Sequence, residues 1–469
     1  MLANEHVNQR MAGPSIRCFE LSRALHEAGH EVTLGTPFPT DLTGSPFDIV
    51  VYDGATLPPL VDDAEVVVLQ GWVLERFPWL ATRSCRIVVD LYDPYPLEVL
   101  VLFDRYSDDK RLETHRDAVR SVSDQMSRGD FFLCASEKQL DFWTGWLTSA
   151  GRINPDTYRA DPRMRTLIDV VPFGIPDEPP VKRRSAIRNG IEGIGPDDVV
   201  LLWGGGIYNW FDPVTLVRAT AEAAKHLPSI RLVFMSAGHP NPDIQEMWTL
   251  TETRSVANQL GVAGRNVFFN ESWVAYDARA DWLLDADIGV TTHFDHIETR
   301  YSFRTRVLDY LWAGLPVICT AGDTLADEII ARKLGAAIPA EDVMAATAAI
   351  MTLAVDARKR SEYAQRARKY ATTLRWSVAA QPLIRYCSEG ARAADWRRLS
   401  TRRSAVPSEA PAAAAAGVTE RRQDAGALRS AYRALPEPIR NSRAAGVLKR
   451  LAYRVDRKRR SPDMRAGGP

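Results

Sequence analysis

The chain has 469 residues, which is too long for one hydrophobic core and predicts two or three domains. Its hydrophobic fraction of 45% and charged fraction of 25% are those of an ordinary soluble protein. The formal net charge is zero, but residues 401–469 hold 16 Lys and Arg against 6 Asp and Glu. A basic tail on an acidic body predicts an anionic partner for the tail, and charge alone leaves a membrane surface and a nucleic acid both open.

Cysteine usage and hydropathy exclude several protein classes. The five cysteines are scattered and form no CxxC pair, which argues for a reducing compartment and against a disulfide framework or a structural zinc site. The first thirty residues are polar, so we expect no signal peptide. The uncharged run at residues 199–211 is short and holds three glycines, so we expect no membrane-spanning helix. These features predict a cytoplasmic protein.

Apolar strands and helical patterns alternate in the first half of the chain. A Gly-Pro-Ser loop at residues 13–15 precedes an amphipathic helix that Gly29 ends. Short apolar strands follow near residues 31, 48, 65, 86, 130 and 168. Continuous apolar strands that alternate with helices predict a parallel sheet covered on both faces.

A proline-rich and charged stretch at residues 176–191 separates this pattern from a second one. Its strands are predicted near residues 198, 230, 266, 287 and 316, and its helices near Asp212, Asp243, Asp277 and Tyr301. We therefore predict an α/β protein with two doubly wound Rossmann-like domains, residues 1–178 and 190–375, that face a central cleft. Ligands are expected at the carboxyl ends of the strands.

The C-terminal region changes composition. Residues 400–426 read as a flexible linker of low complexity, and residues 427–469 as a basic tail with amphipathic segments. Such a tail either lies on an anionic membrane or is a solvated, disordered extension, and the sequence leaves both interpretations open.

Residues 291–323 concentrate charge between two predicted strands. A helix predicted to begin near Ser302 would offer free backbone N–H groups and a positive dipole end to a diphosphate. Arg304 and Arg306 add the fork geometry that suits phosphate oxygens, although two residues two apart do not share a helix face. The alternative is a structural ion network at the mouth of the sheet.

A second candidate loop follows the strand near residue 198. Gly204, Gly205 and Gly206 let the backbone approach a phosphate or a sugar closely. Tyr208 and Trp210 either stack on a sugar or pack between the domains. His293 and His296 are three residues apart, but no matching Cys or His cluster accompanies them, so we expect cleft-lining roles and no metal.

The segment VLDYLWAGLPVI at residues 307–318 resembles the donor motif of the GT-B glycosyltransferases of the large retaining family 4. The resemblance covers residues 1–398 and implies a nucleotide diphosphate sugar as donor. Asp309 occupies the position of the motif's second carboxylate, which contacts ribose, and Tyr301 that of the first. Glu298 is the nearby carboxylate that can replace the first. Gly205 and Trp210 stand where the family carries its diphosphate-binding Arg and Lys.

The resemblance also assigns loops. Gly13 belongs to the glycine loop under the donor phosphates, and the strand before it is expected to be a stub at residues 1–4 or missing. Asp93, after the strand near residue 86, faces the cleft where relatives hold a His; alternatively it is a turn-forming Asp before a proline. Residues 376–398 are expected to cross back to the first domain. The remaining donor-site candidates are Gly238, Trp273, Val274, Ser302, Phe303, Thr305, Gly322 and Asp323.

These observations predict a metal-independent, retaining glycosyltransferase of the hexosyltransferase type that needs no cofactor besides its donor substrate. The resemblance implies front-face displacement, with the leaving diphosphate stabilised by Arg304 or Arg306. The expected acceptor is a bacterial surface glycan such as lipopolysaccharide, or a lipid-linked precursor, which would suit a peripheral membrane tail and no nucleic acid. The alternatives are a non-catalytic sugar-nucleotide-binding subunit and a GT-B-fold sugar-nucleotide epimerase.

Overall fold

The computed structural model describes residues 1–238 and 247–398, in which strands and helices alternate. The strands are β1 Thr33–Thr36, β2 Asp48–Val51, β3 Val66–Gln70, β4 Arg86–Asp90, β5 Phe131–Cys134, β6 Ile168–Val170, β7 Val199–Trp203, β8 Ile230–Phe234, β9 Val267–Phe269, β10 Ile288–Thr291, β11 Val317–Thr320 and β12 Gly335–Ile338. All pairings between these strands are parallel, which confirms the predicted α/β class.

The helices connect and cover the strands. They are α1 Gly13–Glu27, α2 Leu57–Asp62, α3 Val73–Arg76, α4 Tyr95–Leu102, α5 Asp108–Arg128, α6 Glu137–Ser149, α7 Pro155–Ala160, α8 Pro213–Ala224, α9 Trp248–Gln259, α10 Arg279–Leu283, α11 Ile297–Tyr301, α12 Arg306–Ala313, α13 Thr324–Arg332, α14 Val343–Val355, α15 Ala357–Ala371, α16 Trp376–Ala379 and α17 Gln381–Glu389. Within the described residues, no helix is both long and apolar enough to span a membrane.

The second half contains a six-stranded sheet in the order β12-β11-β10-β7-β8-β9. The chain therefore starts in the middle of the sheet and reverses direction between β7 and β10. In an open parallel sheet this switch point leaves a crevice beyond the carboxyl ends of the two central strands. The loops that follow β7 and β10 are consequently placed to meet a ligand.

The first half contains a four-stranded sheet, β3-β4-β5-β6, and the pair β1-β2. Leu2 alone bridges to Gly35 of β1 and Leu69 of β3, and its N–H donates to the carbonyl of Val68 at 2.8 Å. The first residues thus lie where a central strand would join the two sheets, as in the stub interpretation. The chain then passes along the cleft into α1.

The last two helices pack against the first half. The backbone N–H of Trp376, at the start of α16, donates to the carbonyl of Ile175 at 2.9 Å. The ring of Tyr386 in α17 stacks on the ring of Phe131, with centroids 4.4 Å apart. A Cβ atom added to Gly174 would lie 2.6 Å from the Trp376 ring, so only glycine allows this contact. The chain therefore returns to the first half after completing the second.

The structure differs from the predicted elements in two places. The helix predicted near Ser302 is interrupted: α11 ends at Tyr301, Ser302 is extended with φ −73° and ψ 156°, and α12 begins at Arg306. The strand β12 was not predicted, because its sequence GAAI is small and half-exposed and gives no apolar run. The helix start predicted near Asp243, the linker at residues 400–426 and the tail at residues 427–469 lie outside the described residues.

Candidate functional site

A cavity of about 770 Å³ lies between the two halves at the carboxyl ends of their strands. The first half lines it with the glycine loop and with the loops that follow β3 and β4. The second half lines it with residues 208–211, after β7, and residues 302–306, before and at the start of α12. Loops of both halves therefore face one shared cavity in the cleft between them.

Arg306 is a buried cation on the wall of this cavity, with 9% of its surface exposed. Its Nη2 donates to the carbonyl of Gly206 at 2.8 Å, and the guanidinium lies 3.9 Å from the ring centroid of Phe211. No group in the described residues accepts a hydrogen bond from Nη1, and none supplies a carboxylate within ion-pair distance. Burial lowers the pKa of Arg306 to about 10, which still leaves it charged at neutral pH. Such a group is placed to bind an anion.

Arg304 also lines the cavity, but its charge is already compensated. Its Nη2 donates to Oε2 of Glu298 at 2.7 Å, and both side chains are buried. Nδ1 of His296 lies 3.6 Å from the same carboxylate, and burial lowers the pKa of His296, which favours its neutral form. Glu298 itself does not line the cavity; in this structure it holds Arg304 in place across the break between α11 and α12.

Asp309 lies on α12 outside the cavity lining. Its Oδ1 accepts a hydrogen bond from Nε of Arg279 at 3.1 Å, and the Arg279 guanidinium lies 3.6 Å from the ring centroid of Tyr276. The position that the resemblance assigns to a ribose contact is therefore occupied here by an ion pair. Sequence reasoning missed Arg279, because thirty residues separate the two partners.

The three glycines after β7 lie beside the cavity and support it. The backbone N–H of Gly204 donates to the hydroxyl oxygen of Tyr310 at 2.7 Å, and Gly206 supplies the carbonyl that accepts from Arg306. Gly205 has φ +80°, in the left-handed region that residues with a side chain rarely adopt. This conformation disfavours an Arg at the position where the resemblance expects one.

The other predicted site residues separate into two groups. The cavity wall includes Gly13, Asp93, Ser302, Phe303 and Thr305. The lining does not include Gly238, Trp273, Val274, Tyr301, Gly322 or Asp323.

Two residues of the second group have structural contacts instead. Trp273 donates its ring N–H to the carbonyl of Met11 at 3.2 Å, which joins the two halves. Asp323 caps α13, and its Oδ2 lies 3.4 Å from Nε2 of the buried His293. Within the described residues, no group of three or more His, Cys, Asp or Glu side chains is arranged to hold a metal ion.

Contacts join the two halves across the cleft at two places. On one side the Arg105 guanidinium of the first half lies 3.6 Å from the ring centroid of Trp248, with Glu252 at 3.4 Å. On the other, Nζ of Lys138 lies 2.7 Å from Oδ2 of Asp327, and the Gln139 amide donates to the carbonyl of Tyr301 at 2.8 Å. The described conformation is therefore a closed one.

The first-half wall holds four carboxyl groups, of which Asp90 is paired with Arg17 and the other three are those of Glu5, Asp93 and Glu98. Burial raises the pKa of Glu5, of Glu98 and of Asp93, the last to about 7. Sequence reasoning missed Glu5 and Glu98. The available signal was a single carboxylate in the otherwise apolar helix α4, YPLEVLVL.

Asp90 has a different role from its neighbour Asp93. Its two carboxylate oxygens accept hydrogen bonds from the buried Arg17 of α1, at 2.7 and 2.9 Å, and the Gln70 amide donates to it at 2.7 Å. This ion pair holds α1 against the end of β4, so the role of Asp90 is structural.

Solved structures resemble the described chain over most of its length. Sucrose-phosphate synthase from Thermosynechococcus elongatus aligns with a TM-score of 0.57 at 16% identity, covering 85% of this chain and 96% of that one. WaaG, a glycosyltransferase involved in lipopolysaccharide biosynthesis, aligns at 0.57 and 16%, covering 83% and 100%. The chain has the GT-B fold. HepE from Anabaena, in complex with UDP and glucose, is a further GT-B structure with a TM-score of 0.55 at 15% identity, covering 82% and 98%.

Sequence similarity is more limited. The chain is 27% identical over 197 residues to D-inositol 3-phosphate glycosyltransferase 2 of Catenulispora acidiphila, which covers 42% of this chain. The match spans 44% of that relative, less than half its length. No family model matches the chain. The GT-B prediction is thus confirmed, and the assignment to the retaining family 4 stays a prediction.

Proposed function

We propose that this protein is a glycosyltransferase that moves a sugar from a nucleotide diphosphate sugar to an acceptor hydroxyl. The observation that carries the proposal is Arg306, a buried cation without a carboxylate partner on the wall of the interdomain cavity. The GT-B fold and the similarity to a named glycosyltransferase support it. The structures of HepE in complex with UDP and glucose and with UDP-glucose support the class of donor.

In this proposal the donor diphosphate lies against Arg306 at the start of α12. The free Nη1 donates to a phosphate oxygen, and the positive end of the α12 dipole adds to the attraction. Arg304 contributes from the same wall, but its pairing with Glu298 reduces its net charge. The ring centroids of Phe211 and Trp203 lie 3.9 and 4.4 Å from the guanidinium, and this apolar surrounding strengthens its interaction with an anion.

The reaction proceeds on one face of the sugar and retains its configuration. As the bond between the anomeric carbon and the diphosphate oxygen breaks, the acceptor oxygen forms its bond to the same carbon. The acceptor's hydroxyl proton passes to the leaving diphosphate, so that charge and atoms balance. Arg306 stabilises the negative charge that develops on that diphosphate, and no metal ion takes part.

The acceptor is proposed to be a glycan or a lipid-linked saccharide of the bacterial surface, reached in the cytoplasm. WaaG, a structural neighbour, is described as involved in lipopolysaccharide biosynthesis. Peripheral membrane contact through the basic residues 427–469 belongs to this proposal, since the surplus of Lys and Arg there suits anionic lipid.

The test is the release of nucleotide by the full chain from UDP-, GDP- and dTDP-sugars, with and without acceptor saccharides. We expect one donor to be consumed in an acceptor-dependent manner, and Arg306→Gln to abolish most of this release. Arg300→Gln is the matched control, because Arg300 lies on α11 and is exposed. Binding of a nucleotide without turnover of any donor would contradict the proposal.

That outcome would support a second function, a non-catalytic sugar-nucleotide-binding subunit. The observation that favours it is the donor motif itself: Arg279 engages Asp309, and Tyr301 stands in place of the first carboxylate and packs on Phe142 at 4.9 Å. An epimerase would instead interconvert donors without any acceptor, which the same assay detects.

A further inference from the structure

The two walls of the cavity carry opposite charge. Arg306 marks the second-half wall as the place for an anion, whereas the first-half wall holds Glu5, Asp93 and Glu98. In the described residues no Lys, Arg or His nitrogen lies within ion-pair distance of these three carboxyl groups. The arginines whose fields reach them, Arg17 and Arg304, are already paired with Asp90 and Glu298.

Neutral hydrogen-bond acceptors extend the same wall. Gln70 and Gln125 line the cavity with 4% of their surface exposed. Their amide NH2 groups donate to protein, Gln70 to Asp90 and Gln125 to the carbonyl of Gly71, both at 2.7 Å. Within the described residues nothing donates to their carbonyl oxygens, which therefore remain for a ligand that donates.

Two aromatic rings complete this surface. Trp72 and Tyr95 both line the cavity and meet edge to face, with ring centroids 4.9 Å apart. Aromatic faces beside carboxylates are a favourable environment for an organic ammonium group, and also for the C–H face of a sugar. The wall thus offers acceptors and π faces to one ligand, and Arg105, the first-half cation among the lining residues, is already paired with Glu252 at 3.4 Å.

We propose that the acceptor is a sugar or cyclitol that carries a protonated amino group, bound with its ammonium against Asp93 and Glu98. The inference rests on the proposed function, since it assigns the acceptor of that same cavity. Partly buried carboxylates without a counter-charge are costly, and a ligand ammonium supplies the missing charge together with three hydrogen-bond donors. An ammonium has no free electron pair, so the amino group is recognised and a neighbouring hydroxyl is glycosylated. A phosphorylated acceptor would meet repulsion at this wall.

The experiment measures binding by the full chain, saturated with the nucleotide that binds it best. The probes are D-glucosamine, D-glucose, N-acetyl-D-glucosamine and glucose 6-phosphate, in ligand-observed NMR titrations at pH 7.5. We expect glucosamine to bind about ten-fold or more tightly than the other three, the range for one charged hydrogen bond. Glu98→Gln and Asp93→Asn should each remove most of that preference. Asp104→Asn, an exposed carboxylate next to the lining residue Phe103, should keep it.

Each result decides the inference. Equal binding of glucosamine and glucose, no detectable binding of glucosamine, or a preference that survives in both Glu98→Gln and Asp93→Asn would overturn it. Nucleotide binding is measured on the same samples and shows that each variant is folded. If a nucleotide binds and the preference for the amine is absent, only the acceptor assignment is refuted. If no nucleotide binds, the proposed function is refuted as well.

Discussion

Replacing Arg306 with Gln tests how the cavity binds an anion. Gln is shorter than Arg, so the charge, the hydrogen bond that Nη2 donates to the carbonyl of Gly206 at 2.8 Å and the free Nη1 donor are all lost. A hydrogen bond to a charged group contributes about 1.5–3 kcal/mol. Since each 1.4 kcal/mol changes an equilibrium constant about ten-fold, the dissociation constant of the nucleotide should rise by about 10- to 150-fold.

Isothermal titration calorimetry of the full chain with UDP, GDP and dTDP measures this change. The exposed Arg300→Gln serves as the control and should stay within about two-fold of the unmodified chain, because charges at the surface are screened by solvent. Arg306→Gln also relieves the burial of an unpaired cation, so we expect no loss of thermal stability. Unchanged nucleotide affinity in Arg306→Gln and in the Arg304→Gln/Arg306→Gln double variant would refute the assignment.

Three further predictions concern neighbouring groups. Arg304→Gln leaves Glu298 buried without its partner and should lower the free energy of unfolding, measured by chemical denaturation, by about 3–5 kcal/mol. Adding Glu298→Gln should restore most of this loss, and a loss that persists in the double variant would contradict the ion-pair account. Burial raises the pKa of Asp93 from 3.8 to about 7, so the folded chain binds this proton more tightly than the unfolded chain. The stability that this proton contributes is present at pH 4 and is lost as the pH rises toward 7, by no more than about 4 kcal/mol. Asp93→Asn should therefore raise the melting temperature at pH 8 and leave it unchanged at pH 4, and equal shifts at both pH values would show that ionisation is not the cause. Arg105→Ala removes the stacking on Trp248 across the cleft, and because both side chains lie at its rim, the free energy of unfolding should change by less than about 1 kcal/mol. The radius of gyration of the nucleotide-free protein, measured by small-angle scattering, should nevertheless increase. An unchanged radius would show that this contact does not hold the two halves together.

Local sequence patterns predicted the fold well where burial produces continuous apolar runs. Strands such as β7, VVLLW, are buried on both faces, and their composition alone identifies them. The small and half-exposed β12 carries no such signal. The interruption at Ser302 was also missed, since the residues around it have ordinary helical propensity and the break accompanies the Glu298–Arg304 ion pair.

The candidate site was predictable as a segment, but the roles within it depend on distant partners. Arg304 and Arg306 were equivalent in the sequence, and both lie against the Phe211 ring; the fold distinguishes them by pairing Arg304 with a carboxylate and leaving Nη1 of Arg306 without an acceptor. The pairing of Asp309 with Arg279 could not be inferred from the motif. Glu5 and Glu98 reach the cavity through the topology of the first half, which places two distant segments on one wall.

A crystal structure of the full chain with a bound nucleotide diphosphate tests the central claim most directly. The account predicts a phosphate oxygen at about 3 Å from Nη1 of Arg306, beside the first turn of α12 and inside the interdomain cavity. A nucleotide whose diphosphate lies elsewhere, with Nη1 of Arg306 still without a partner, would contradict it.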